Sequence, residues 1–238
     1  LKNFCEAIGV CKANSEIEVS YFEHFIRDYL NLHAERAMAV FEPIKVTITN
    51  FPDKSEEEDF EINPNDETAG TRKITISKHI YIDSEDFALV PPPKYFRLKK
   101  DGYVRLKNAY IIKCDDVKLR EDGSVEELFC SYVPESRSGN DTSGIKVKGV
   151  IHWVNAETAV DCEIRKYDYL LKDAEYSGQD FSERMNYDSV HVFNGKAEPY
   201  LAEVPDGTSF QLMRKGYYKK ITENGKLVLS EIVSLKDS

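Results

Sequence analysis

The 238-residue sequence has no apolar run near the roughly 20 residues that cross a bilayer as a helix. Its first residues, LKNFCEAIGV, lack the basic start and apolar centre of a secretory leader. Five cysteines (Cys5, Cys11, Cys114, Cys130, Cys162) are odd in number and widely spaced, with no Cys-x-x-Cys pair and no matching histidine pair. That excludes a disulfide framework and a zinc site, and suits a reducing compartment, so the sequence predicts a soluble, cytoplasmic protein. A glycine-rich phosphate loop, Gly-x-Ser-x-Gly and His-Glu-x-x-His are all missing. The five histidines (His24, His33, His79, His152, His191) are scattered and mark no catalytic base. Numbering starts at Leu1 inside a running amphipathic pattern, as expected of a piece cut from a longer protein.

Positive charge is also short overall, with a formal net charge of -10. It is nonetheless concentrated at one place. Residues 94 to 113 carry seven bases (Lys94, Arg97, Lys99, Lys100, Arg105, Lys107, Lys113) against Asp101 alone. Residues 51 to 70 carry eight acids against Lys54, and their SEEEDFE run reads as a solvated loop or hairpin tip.

Two periodicities divide the chain. Leu1, Phe4, Cys5 and Ile8 recur at helical spacing until Gly9, and Val19, Phe22, Ile26 and Leu30 share one face of a second helix that Ser15 and Glu18 would cap. Residues 1–35 are therefore expected to be a small α-helical subdomain. From Ile44 the period becomes two: Ile44, Val46, Ile48; then Ile74, Ile76, Ile80, Ile82; then Val104, Leu106. Val147, Ile151 and Trp153 read as one strand face, and Cys162 with Ile164 as the next. Asp122-Gly123 and Asn224-Gly225 signal hairpins, and Pro91–Pro93 an extended connector. Many short strands without long helices between them predict a mainly β region over 36–238, built as two antiparallel β-barrels.

On a strand, Arg105 and Lys107 project from one face about 6.6 Å apart, with Val104 and Leu106 turned to the core. That spacing suits neighbouring phosphates or the edge of a splayed base. Tyr95, Phe96 and Tyr103 stand ready to stack on one. A solvated, lysine-rich strand edge that blocks sheet aggregation explains the same pattern.

Three longer stretches, HAERAMAVFEPIKVTITNF (33–51), RLKNAYIIKCDDV (105–117) and VKGVIHWVNAETAVDCEIRKYDYLL (147–171), closely resemble the C-terminal half of the bacterial glutaminyl-tRNA synthetases. The resemblance runs from Leu1 to about Tyr218. It implies a helical subdomain followed by two barrels that bind the anticodon arm of tRNA(Gln), in a monomer. It also implies a preceding catalytic domain, the parent's site for ATP and magnesium, whose HIGH-type and KMSKS-type motifs are absent here; this piece itself would use no cofactor. Carried over by position, Arg36, Gln211 and Arg214 match residues at the pocket for the middle anticodon base. Arg97 matches a reader of the third base, a guanine, with Lys94 beside it. Arg105 and Lys107 match a pair near the first base, and Asn65 a polar contact in the loop. Lys107 stands where the relatives place arginine, Lys94 where they place glutamine, and Phe96 where they place lysine. Gln211 and Arg214 are three apart, so a bulge or turn near Gly216 has to re-aim one of them if both line a pocket. Three rival readings remain at this point: the same region of an archaeal- or eukaryotic-type glutamyl-tRNA synthetase, a barrel-type protein-interaction module, and a hydrolase using buried carboxylates.

Overall fold

The computed structural model describes residues 1–236 apart from 11, 13–15 and 173–179. Helix α1, Lys2–Ile8, ends at Gly9, whose φ of 69° suits a residue without a Cβ. Helix α2, Val19–His33, starts directly after Glu18, which makes no side-chain cap bond; Ser15 lies outside the described residues. Phe4 joins the helices by packing against Phe22, Phe25 and Tyr21, at ring-centroid distances of 4.9, 5.7 and 6.2 Å. Only Arg27 and Leu30 of α2 are buried, and Leu30 packs with Ala34, Tyr217 and Val233. The helical unit therefore rests on the barrel built from the two ends of the chain.

Two seven-stranded sheets account for most of the rest. The mid-chain barrel takes its strands from residues 44–155. Strand Ile44–Ile48 pairs with His79–Ile82 and Val125–Val133, the latter with Ile111–Leu119, and that with Tyr103–Leu106. Alternation explains these strands: Ile44, Val46, Ile48, Ile80, Ile82, Val104 and Leu106 all reach the core, while the residues between them face outward. The terminal barrel runs from Glu35–Ala37 through Ser209–Leu212, Gly216–Glu223, Lys226–Ser234, Val160–Tyr167 and Val190–Ala197 to Ala39–Phe41. Asn224 and Gly225, at φ 51° and 76°, make its tightest hairpin, as their sequence predicts.

Each barrel closes through one segment broken at a single residue. Glu35–Ala37 pairs with one end of the terminal sheet and Ala39–Phe41 with the other, with Met38 between them. Val150–Ile151 and Trp153–Asn155 close the mid-chain sheet in the same way, with His152 between them. The single strand expected through Val147, Ile151 and Trp153 is thus two short strands on different partners, and Val147 lies outside both. Pairing is mostly antiparallel, with two parallel pairs in each barrel where long connections return the chain in the same direction.

The acidic run differs from expectation more sharply. Glu56–Glu61 is a strand, not a loop, paired with Thr71–Ile76 in a separate ladder. Its alternation buries Glu58 and Phe60 and exposes the acids between them. Arg137 lies 3.3 Å from Glu58, Lys73 lies 2.8 Å from Asp59, and Tyr110 donates to Glu56 at 2.7 Å, so three of the run's carboxylates have partners in the fold.

The stretch 37–41 is the seam between the barrels. Met38 and Val40 pack into the mid-chain core, while Ala37, Ala39 and Phe41 pack into the terminal one. Buried carboxylates satisfy its backbone: Met38 N–H donates to Glu198 at 2.7 Å and Phe41 N–H to Asp83 at 3.0 Å. Among the described residues, no helix is long and apolar enough to cross a membrane.

Candidate nucleic-acid interface

The residues singled out in the sequence fall into three groups. Arg36 opens the first, on the strand that follows α2. Its guanidinium donates to the Ala34 carbonyl (2.8 Å) and to the Asn31 carbonyl and side-chain oxygen (2.8 and 3.1 Å), covering acceptors at the C-terminal end of the helix. Asn65 Nδ2 reaches the same Asn31 carbonyl at 2.6 Å. Gln211, directly opposite Arg36 in the parallel register, donates to Tyr217 Oη at 2.9 Å, and that hydroxyl lies 3.5 Å from Asn31 Oδ1. Arg36 is only 8% exposed, and burial lowers its pKa from the usual arginine value.

Arg214 is not in that group. It occupies the turn after Ser209–Leu212 at φ 67°, and the turn re-aims it onto Asp86 with bonds of 2.6 and 2.7 Å. Arg97 Nε lies 3.3 Å from the same carboxylate, and its Nη1 donates to the Glu85 carbonyl at 2.9 Å. Tyr95 Oη also donates to that carbonyl, at 3.0 Å, and burial with the nearby Asp86 pushes its pKa up to about 12. Lys215 pairs with Asp83 and Glu85, both at 2.9 Å. His152 is enclosed by this network, 3.8 Å from Asp83 and 4.0 Å from Asp86. Burial brings its pKa down to about 4, and Arg214 and Lys215 add to the effect against the two aspartates. The structure therefore joins Arg36 to Gln211 and Arg214 to Arg97.

Arg105 heads the third group, donating to the Ser136 carbonyl at 2.6 Å and pairing with Asp141. The strand ends at Leu106, so Lys107 begins a turn rather than extending the expected row, with Asn108 at φ 55°. The Lys107 backbone is held at both ends, its N–H on Ile151 and its carbonyl by Trp153 Nε1.

Not every cation of the 94–113 stretch is tied down. Lys94, Lys99 and Lys107 form no ion pair among the described residues, whereas Lys100 pairs with Asp116 and Lys113 with Asp101 and Asp115. Phe96 is 51% exposed, and Lys148 Nζ sits 5.2 Å from its ring centroid. Gly149 allows this contact: a Cβ there would stand 1.7 Å from the Phe96 carbonyl oxygen.

Sequence reasoning did not find Asn31, Tyr217, Asp83, Asp86, His152 or Lys148. Asp86 lies 128 positions from Arg214, and no local pattern announces such a pair. Lys148, two residues beyond Lys146 in a short basic stretch, offered a weak signal.

Twin barrels beneath a helical pair, with arginines held at their seam, are the frame on which these groups sit. Residues 34–133 and again 150–220 match the anticodon-binding domain of class I (E and Q) tRNA synthetases. The chain belongs to this anticodon-binding family. It is 45% identical, along its whole length, to the glutamine-tRNA ligase of Clostridium perfringens, of which it covers 44%. The enzymes of the same name from Rhodopirellula baltica and Pseudomonas aeruginosa are 45% and 41% identical, with 41% and 44% of each covered. The chain thus spans less than half the length of the curated relatives it matches.

Proposed function

We propose that this chain binds the anticodon arm of tRNA(Gln) and reads its bases for a glutamine-tRNA ligase. The observation that carries the reading is the setting of Arg97. Its Nη1 donates to the Glu85 carbonyl, its Nε lies in ion-pair range of Asp86 at 3.3 Å, its Nη2 has no partner among the described residues, and its side chain is 40% exposed. A guanidinium fixed on one side and open on the other is suited to the acceptor edge of an unpaired guanine. Phe96 beside it offers a ring for stacking, and Lys94, Lys99 and Lys107 supply charge for phosphates.

Arg36, Gln211 and Asn65 form a second contact region in this reading, and Arg105 with Lys107 a third. Arg36 already serves the end of α2, so its role toward RNA rests on the donors that service leaves. Ligation of glutamine, with ATP and magnesium, belongs to a further domain of the parent enzyme, acting as a monomer in the cytoplasm. Ribonuclease footprinting tests the proposal. Bound chain should protect the anticodon loop nucleotides of tRNA(Gln) and leave the acceptor stem open to cleavage; protection spread evenly over the molecule would contradict it.

A further inference from the structure

Asp86 holds one arginine from each barrel. It ends the short turn Ser84–Asp86, which Asp83 caps by accepting from Glu85 N–H at 3.2 Å, and its side chain is 1% exposed. From the terminal barrel Arg214 approaches with both Nη atoms at 2.6 and 2.7 Å, and from the mid-chain barrel Arg97 approaches with Nε at 3.3 Å.

Packing alone does not call for such a group. A buried carboxylate with guanidinium partners is commonly replaceable by apolar side chains without loss of stability, because desolvation offsets the attraction. What the arrangement does supply is orientation. Arg214 sits at a left-handed φ of 67°, a conformation that is unfavourable for a non-glycine residue and persists where its surroundings fix it. Its neighbour Lys215 is tied to Asp83 and Glu85, so the whole turn is fastened to the acidic segment of the other barrel. Each arginine keeps a donor without a partner among the described residues: Nη2 of Arg97 and Nε of Arg214.

We infer that Asp86 is a positioning residue for base recognition, fixing Arg97 and Arg214 as one rigid donor array across the barrel seam. This rests on the anticodon reading proposed above and adds a residue that acts through the two arginines rather than by touching RNA. A planar fork recognises an acceptor edge only when its plane is fixed, whereas a phosphate accepts charge from many directions. Losing Asp86 should therefore remove discrimination between bases while leaving electrostatic attachment in place.

The test is a double-mutant cycle on the 238-residue chain. Dissociation constants are measured for tRNA(Gln) and for a transcript with its third anticodon base changed, using the wild type, Asp86→Asn, Arg97→Ala and the double variant. Each single change is expected to lower the preference for the cognate RNA by about tenfold, with the double variant no worse than Arg97→Ala alone and the salt dependence unchanged by Asp86→Asn. Undiminished preference in Asp86→Asn, or losses that add in the double variant, would overturn the inference. Should Arg97→Ala keep the full preference, Arg97 is not a reader and the inference falls, although the anticodon reading stands. No preference in the wild type would instead sink that reading itself. Thermal melting identifies a variant that fails to fold. In that event Arg97→Lys, which keeps the charge but cannot span Asp86 and the Glu85 carbonyl, should show the same loss of preference, and an unchanged preference in it overturns the proposal.

Discussion

Arg72 and Glu198 face each other across the barrel seam, with Nη2 to Oε1 at 2.6 Å and Nε to Oε2 at 2.9 Å. The same carboxylate accepts the Met38 N–H, and the Arg72 guanidinium lies 4.9 Å from the Tyr200 ring centroid. Both side chains are almost fully withdrawn from water. Removing one partner leaves a buried charge without compensation, which costs far more than a surface pair is worth. Arg72→Leu is expected to lower stability by about 3 to 5 kcal/mol in chemical denaturation, with Arg72→Leu/Glu198→Gln recovering part of the loss. A loss below about 1 kcal/mol would mean the pair is effectively solvated.

His152 makes the seam sensitive to acid. Unfolded, its imidazole titrates near 6.5; in the fold, burial brings the value down to about 4. Between those values the unfolded chain binds the extra proton, so this group's contribution is complete above pH 6.5 and is lost as pH falls toward 4. Asp83, Asp86, Arg214 and Lys215 surround it and set the field it titrates in. His152→Gln should flatten the fall in stability over that window, by about 3 kcal/mol at most, as measured by urea unfolding at several pH values. Identical pH profiles for the two proteins would show that His152 is not the group responsible.

Gly149 matters for space rather than for φ. A Cβ at this position would also lie 2.9 Å from the Phe96 carbonyl carbon, and Arg105 N–H donates to the Gly149 carbonyl at 3.1 Å. Gly149→Ala therefore has to push the 146–149 loop off the Phe96 backbone. Destabilisation of about 1 to 3 kcal/mol is expected, together with weaker tRNA binding, since Lys148 leaves the Phe96 ring. Wild-type stability in this variant would show that the loop sits there loosely.

Much of the fold was legible because its signals are local. Alternation at Ile44, Val46 and Ile48 and the Asn224-Gly225 pair report strand and turn directly, and the change to period two from Ile44 separates helices from sheets. The acidic run was misread because charge counts do not register alternation: Glu58 and Phe60 point inward, and the carboxylate's partner, Arg137, is remote in sequence. His152 was hidden for a related reason. A strand break that closes a barrel looks, in sequence, like one more residue in a continuous apolar run.

The candidate interface was legible in its cations and not in the anions that hold them. Arg97, Arg105 and the lysines between them stand out against a net charge of -10, but Asp86 and Asp141, which aim the arginines, do not stand out among 42 acids. Gln211 and Arg214 belong to one short motif, yet the turn at Met213–Lys215 sends them to different partners. Such separation depends on tertiary contacts that no spacing rule contains.

Base reading and phosphate attachment should separate by mutation. Arg97→Ala is expected to cost about 1 to 3 kcal/mol in cognate binding and to relax discrimination at one anticodon position. Lys99→Ala, which removes a charge with no ion-pair partner among the described residues, should weaken binding evenly across anticodon sequences and reduce the salt slope by about one unit. Equal losses for cognate and anticodon-swapped RNA in Arg97→Ala would contradict the base-reading role.

The most direct test of the whole account is a titration of this chain with tRNA(Gln) and with a variant altered at the middle anticodon base, at two salt concentrations. Anticodon recognition predicts a preference for the cognate RNA of at least about tenfold, near 1.4 kcal/mol, that persists at the higher salt. Equal affinity for both, with steep salt dependence, would contradict it and leave only phosphate attachment.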